Sequence, residues 1–175
     1  VYSGCCYAPM DGTMPLARLN VMLRTLQTDL LLVTREFYEV ARKLDFSGAL
    51  LLVEDLLQGS PDCQTLQRIR AAGSELDPLY ILFTSGSTGV PKGVVTAHHA
   101  LMCYIEDYAG VMGIERCDVL GNQSPLDYIA AIRDIYLPLR FGATTVILPK
   151  ALFSIPTGLF AALNDYRVTA IGWSV

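Results

Sequence analysis

From position 84 to 93 the chain reads Thr-Ser-Gly-Ser-Thr-Gly-Val-Pro-Lys-Gly. Four hydroxyls (Thr84, Ser85, Ser87, Thr88), three glycines (Gly86, Gly89, Gly93) and one ammonium, Lys92, crowd into ten residues. Glycine tolerates backbone angles that other residues resist, so successive main-chain N–H groups can turn inward and converge on an anion. The hydroxyls add donors and Lys92 adds a mobile positive charge. Together these groups suit a polyphosphate. The same composition also fits a flexible linker. Against that reading, residues 79–83 and 94–96 are strand-like runs that bound the segment closely, and Pro91 stiffens it just before the lysine. A Walker loop needs Gly, four residues, then Gly-Lys-Ser/Thr. Counted from Gly86, Pro91 falls on the second glycine and Gly93 on the hydroxyl residue, so that motif is excluded.

Other reactive side chains are sparse. His98 and His99 follow the second strand-like run and open a helical pattern, where capping or packing is the usual role of a histidine. The five cysteines (5, 6, 63, 103 and 117) form no CxxC pair. Scattered thiols of this kind read as reduced residues of a cytoplasmic protein. They suggest neither a metal site nor a catalytic thiol.

The elements that must carry the loop follow from hydrophobic spacing. Pro15 opens a helix whose apolar residues recur at Leu16, Leu19, Met22, Leu23 and Leu26. Further helices are expected over 36–44, 98–112, 129–139 and 152–166, the last interrupted early by Pro156 and Gly158. Strands are expected at 3–11, 30–33, 49–53, 79–83, 94–96, 118–122, 144–148 and from 168 onward. Residues 58–77 read mostly as connection, with one helical turn near 65–71. Strands alternating with helices predict an α/β domain with a largely parallel sheet. The 175 residues fit one domain, and 52% hydrophobic against 17% charged residues supports a sizeable core. A net charge of −4 without a basic run argues against nucleic acid as a partner. No apolar stretch is long enough to span a membrane, and no leader pattern opens the chain.

The string TSGSTGVPKG resembles the phosphate loop of the adenylate-forming superfamily, [ST]-S-G-[ST]-T-G-x-P-K-G. That superfamily includes the adenylation domains of nonribosomal peptide synthetases, acyl-CoA synthetases and luciferases. GCCYAPMDGTMPLARLNVML, from Gly4, resembles the superfamily's early GAAYVPLDPxxPxxRLxxML motif, with Gly12 in place of a proline. His98 stands where the superfamily commonly has a histidine after the loop, and no catalytic role is assigned to it. NQSPLDYIAAIRDIY, residues 122–136, resembles NQAPFSFDLSVMDLY of ligases that charge D-alanine onto a carrier protein.

The resemblance implies that residues 1–175 are part of the large N-terminal domain of such an enzyme. The later Y-G-x-T-E and T-G-D motifs and the C-terminal subdomain with its catalytic lysine are absent, so no catalytic residue is assigned and the piece is expected to be inactive alone. The parent reaction is activation of a small carboxylic or amino acid by ATP with Mg²⁺, then transfer to the thiol of a phosphopantetheinyl carrier protein or of coenzyme A. Thr84, Ser85, Gly86, Ser87, Thr88, Gly89, Lys92 and Gly93 are the implied phosphate ligands. In amino-acid-activating members an aspartate of this later motif grips the substrate ammonium, a natural partner for a desolvated cation. Ile129 occupies its position here, with Asp127 two residues earlier. Either the substrate lacks an α-amino group, or the backbone is extended so that Asp127 shares a face with residue 129 and substitutes, or the pocket has drifted. Asp127 also fits an N-cap for the helix that follows.

Overall fold

The computed structural model describes residues 2–84 and 90–172, with only the backbone of Lys150. The chain divides into two compact units, residues 1–97 and 98–175, each with its own core.

In the first unit, α1 (Leu16–Leu26) buries Leu19, Met22 and Leu23 of the predicted stripe, while Leu16 at its start is exposed and Leu26 half-buried. Pro15 is its N-cap, one position earlier than expected, and Gln27 closes it in a left-handed conformation. β1 (Leu30–Val33) pairs in parallel with β2 (Ala49–Leu52). Between them a 3-10 turn, Arg35–Phe37, runs into the short α2 (Tyr38–Ala41), where one helix was expected. α3 (Val53–Leu56) follows β2 directly.

α4 (Cys63–Ala72) is a full ten-residue helix rather than a single turn. It buries no residue, so it has no apolar stripe to announce it. Its signal is polar: Asp62 accepts from the amides of Gln64 and Thr65, both at 3.1 Å, and from the Thr65 hydroxyl at 2.7 Å. Those bonds, the hydroxyl's first, hold the Asp62 carboxyl below its usual range.

β3 (Pro78–Thr84) and β4 (Lys92–Ala97) form an antiparallel hairpin. The strand expected at 3–11 contracts to one parallel bridge between Tyr7 and Tyr80, with Tyr7 donating to Leu79 at 3.1 Å and accepting from Ile81 at 2.9 Å. Gly4 with φ at +75° bends the chain before the bridge, and Pro9 has no N–H with which to continue a ladder after it. Gly12, which stands where the early motif has a proline, has a local cause. A Cβ on Gly12 would run into the ring of Phe37, so the position tolerates no side chain without moving that ring. Gly12→Ala is expected to destabilise the chain by about 1–3 kcal/mol through overpacking, read as a lower denaturant midpoint.

The second unit is a three-stranded parallel sheet in the order β6-β5-β7, built from β5 (Val119–Asn122), β6 (Thr144–Ile147) and β7 (Ala170–Ile171). α5 (His98–Met112) precedes it and buries Leu101, Ile105 and Ala109. α6 (Ile129–Phe141) links β5 to β6 and buries Ala131, Ile132, Asp134 and Leu137. A 3-10 stretch, Lys150–Ser154, and α7 (Pro156–Asp165) link β6 to β7. Ile155 parts the two, which replaces the single interrupted helix expected there.

Gly142, with φ at +74°, ends α6 as the C-cap. Pro138 lies inside α6 and has no N–H to give the carbonyl of Asp134, four residues back. The hydroxyl of Thr145, on β6, donates to that carbonyl instead. The α/β class with parallel sheets is as expected, although the strands form three small sheets rather than one.

At the mouth of β5, Asp118 accepts from the Glu115 amide at 2.7 Å and from the Thr169 hydroxyl at 2.7 Å. These bonds, the amide's first, hold its carboxyl below the ordinary 3.8. A depressed carboxyl contributes stability above its unfolded value and loses it as pH falls through the lower folded value. Acid titration of the unfolding midpoint should therefore decline below about pH 4, and Asp118→Asn should flatten part of that decline.

Candidate nucleotide and acid site

The hairpin sets the position of the hydroxyl- and glycine-rich segment. Thr84 ends β3, Lys92 begins β4, and the two are direct register partners. The Thr84 hydroxyl lies 3.5 Å from the Lys92 carbonyl oxygen, to which it donates. Both residues are exposed. The connection between the strands is thus seven residues, 85–91, rather than the ten read as loop. Gly93 belongs to β4, opposite Phe83, and a Cβ there would come within 2.9 Å of Ile81 Cγ2. Its lack of a side chain serves strand packing. Pro91 is buried where the chain re-enters the hairpin. Ser85, Gly86, Ser87, Thr88 and Gly89 lie outside the described residues.

In the second unit, Asn122 fixes the entry to the acid motif. It is 2% exposed; its side-chain amide donates to the Ser124 carbonyl at 3.1 Å, and its carbonyl accepts from the Ser124 amide at 3.0 Å. A turn follows, closed by the Tyr128 amide donating to the Pro125 carbonyl at 3.0 Å. These bonds correct two expectations for Asp127. The backbone from 125 to 129 turns and then becomes helical, so Asp127 and Ile129 do not share the face of an extended strand. The N-cap of α6 is Tyr128, and no side chain caps the helix, so Asp127 is not the cap. Asp127 is half-buried, and Ile129 is 51% exposed at the first position of α6.

Sequence reasoning missed the charge cluster behind this turn. Arg133 and Asp134 make a paired contact, Nε to Oδ1 at 2.6 Å and a second guanidinium nitrogen to Oδ2 at 3.1 Å. Their side chains are 13% and 3% exposed. The guanidinium also lies 5.3 Å from the centroid of the Tyr108 ring and 3.4 Å from the Gly172 carbonyl oxygen. A side chain on Gly172 would occupy the guanidinium's place. Donating to the Asp134 carboxylate raises the arginine above its already high value. Burial pushes the Asp134 carboxyl up, and Arg133 only partly offsets it. The cluster's one sequence signal was the adjacent Arg-Asp in an otherwise apolar helix.

An open apolar surface groove of about 260 Å³ lies between α6 and β6, lined mainly by Leu126, Ile135, Pro138, Leu139 and Ile147. Neither Asp127 nor Ile129 lines it. Among the described residues no three His, Cys, Asp or Glu side chains converge to hold a metal ion. No helix among them is long and apolar enough to cross a membrane.

The family model described as AMP-binding enzyme matches residues 1–173. The chain is 28% identical over 166 residues to fusarin C synthetase of Gibberella moniliformis, covering 95% of this chain and 4% of that protein. It is 28% identical over 176 residues to the L-proline–[L-prolyl-carrier protein] ligase of Pseudomonas fluorescens, covering 95% of this chain and 34% of the ligase. Among solved structures, the nonribosomal peptide synthetase FmoA3 in its alpha-methyl-L-serine-AMP bound form superimposes with a TM-score of 0.76 at 24% identity, over 94% of this chain and 18% of that one. IdnL7 does so with a TM-score of 0.75 at 24% identity, over 97% and 35%. The chain thus spans about a third or less of each of these proteins.

Proposed function

The chain belongs to the AMP-binding enzyme family, and from that premise we propose that it takes part in the ATP-dependent activation of a carboxylic acid. The acid's carboxylate attacks the α-phosphorus of ATP, forming an acyl- or aminoacyl-adenylate and releasing pyrophosphate. A thiol, on a phosphopantetheinyl carrier protein or on coenzyme A, then takes the acyl group. The observation that carries this reading is the register that mounts Thr84 beside Lys92 at the two ends of the hydroxyl- and glycine-rich connection.

Nucleophile and nucleotide are both anionic, so catalysis rests on positioning and charge neutralisation. Lys92 supplies an ammonium and Thr84 a hydroxyl toward the β- and γ-phosphates. Ser85, Gly86, Ser87, Thr88, Gly89 and Gly93 complete the assigned set. Bound Mg²⁺ supplies further neutralisation. It is compatible with a chain that has no preformed metal cage among its described residues, because Mg²⁺ keeps most of its waters and needs one or two carboxylates beside the phosphates.

Two experiments test the reading. Calorimetric titration of the 175-residue chain with ATP·Mg²⁺ is expected to show weak binding or none, and pyrophosphate exchange by the chain alone no turnover. A longer protein carrying this segment should exchange pyrophosphate in the presence of its acid. Absence of exchange with every carboxylic and amino acid supplied would overturn the activity.

The substrate is read through Asp127. The extended geometry that would let it stand in for residue 129 is absent, so its claim rests on being half-buried, free of the α6 cap and the carboxylate nearest in sequence to Ile129. Asp127→Ala is expected to abolish amino-acid-dependent exchange in the longer protein. If exchange survives unchanged, the second reading replaces the first: an amine-free acid, favoured by the half-exposed Ile129 at the head of α6.

A further inference from the structure

α5 carries a feature that the activation reading does not use. His99 and Cys103 are one helical turn apart, both exposed, with Cys103 Sγ 3.5 Å from His99 Nε2. Side chains on a helix lean toward its N-terminus, so residue i+4 reaches back to residue i. A tetrahedral zinc ion binds sulfur at about 2.3 Å and imidazole nitrogen at about 2.0–2.1 Å, which sets those two donor atoms about 3.5 Å apart. The pair therefore already stands at the separation that such an ion imposes. Imidazole and thiolate are both ligands for a borderline-soft cation and poor ones for Mg²⁺ or Ca²⁺.

We propose that His99 and Cys103 form a two-ligand site for Zn²⁺ or a similarly soft divalent cation on the exposed face of α5. Cys103 releases its thiol proton to solvent as the sulfur takes the metal, and His99 binds through Nε2. No third His, Cys, Asp or Glu joins them among the described residues, and water would complete the coordination in the proposed site. The site is independent of the proposed acid activation and stands or falls separately from it.

Cobalt reports on it directly, because a thiolate–Co²⁺ bond absorbs in the near ultraviolet. Titration of the reduced, metal-free full chain with Co²⁺ should produce that absorption at one equivalent, and Zn²⁺ should displace it. Cys103→Ser should eliminate it. His99→Gln should weaken affinity about tenfold or more, the least expected for losing a ligand when outer-shell partners alone cost 10–100-fold. Cys117→Ser, an exposed thiol elsewhere in the same unit, should change nothing. Both ligands are exposed, so their replacement leaves the core intact, and circular dichroism checks this. No absorption, absorption that survives Cys103→Ser, or unchanged affinity in His99→Gln would each overturn the site.

Discussion

Lys92→Ala, made in the longer protein that carries this segment, is expected to lower pyrophosphate exchange by about 30- to 1,000-fold. The magnitude follows from the loss of one charge-assisted contact to the transferring phosphates, about 2–4 kcal/mol of transition-state stabilisation by analogy with a lost oxyanion donor, at about 1.4 kcal/mol for each tenfold. The fold should be untouched, because Lys92 is exposed on β4 and its backbone pairing with Thr84 survives the change. Unfolding midpoints of the two proteins should therefore coincide while their exchange rates diverge. Exchange at the parent rate would remove Lys92 from the phosphate contacts. The Thr84→Val variant should show a smaller loss of the same kind, since a neutral hydroxyl gives a weaker hydrogen bond than an ammonium.

The second large effect is on stability. Asp134→Ala is expected to cost about 3–5 kcal/mol, the usual penalty for stranding one charge of a buried pair. Arg133 would keep its position under the Tyr108 ring and beside the Gly172 carbonyl, with no carboxylate to neutralise it. Equilibrium denaturation measures this, and a midpoint equal to that of the parent would show that the pair does not hold the unit together. Replacing both residues at once, Arg133→Met with Asp134→Leu, should restore much of the loss, because apolar substitutes require no desolvation of charge.

The pH response of this pair has the opposite sign to that of Asp118. Burial raises the Asp134 carboxyl on folding. Its contribution is therefore full below the unfolded value and declines as pH rises through the raised folded one. Asp118, depressed on folding, pulls the other way.

Most of the scaffold was legible in the sequence because its elements bury a periodic face. Leu19, Met22 and Leu23 on α1, and Leu101, Ile105 and Ala109 on α5, recur at helical spacing and are buried. β1 begins and ends where its apolar run does. α4 was legible only as one turn near 65–71, because hydrophobic spacing is weak for a helix with no buried residue; its polar cap at Asp62 marks the true start. The strand expected at 3–11 failed for a backbone reason, the proline at position 9, that apolar composition does not weigh.

The site divides similarly. The residue types of the hydroxyl- and glycine-rich connection were plain in the sequence, but its length was not. Pairing of Lys92 and Gly93 with the opposite strand depends on a ladder that composition does not reveal. For Asp127, sequence left open a cap and a substrate contact made through an extended strand; the turn closed from Tyr128 to Pro125 removes both the cap and the extended geometry. The Arg133–Asp134 pair was invisible because a charged dipeptide in a helix usually faces solvent, and its burial here depends on neighbours distant in sequence, Tyr108 and Gly172.

Seating Lys92 within β4 has a consequence for how the connection can vary. The lysine's Cα is anchored by the ladder opposite Thr84, so its ammonium begins every search from one fixed mount and moves only through its own methylene stem. Residues inserted or deleted between 85 and 90 would change the length of that segment while leaving the origin of the positive charge in place. Segment length and charge placement are thus separately adjustable in this hairpin: one belongs to the connection, the other to the strand.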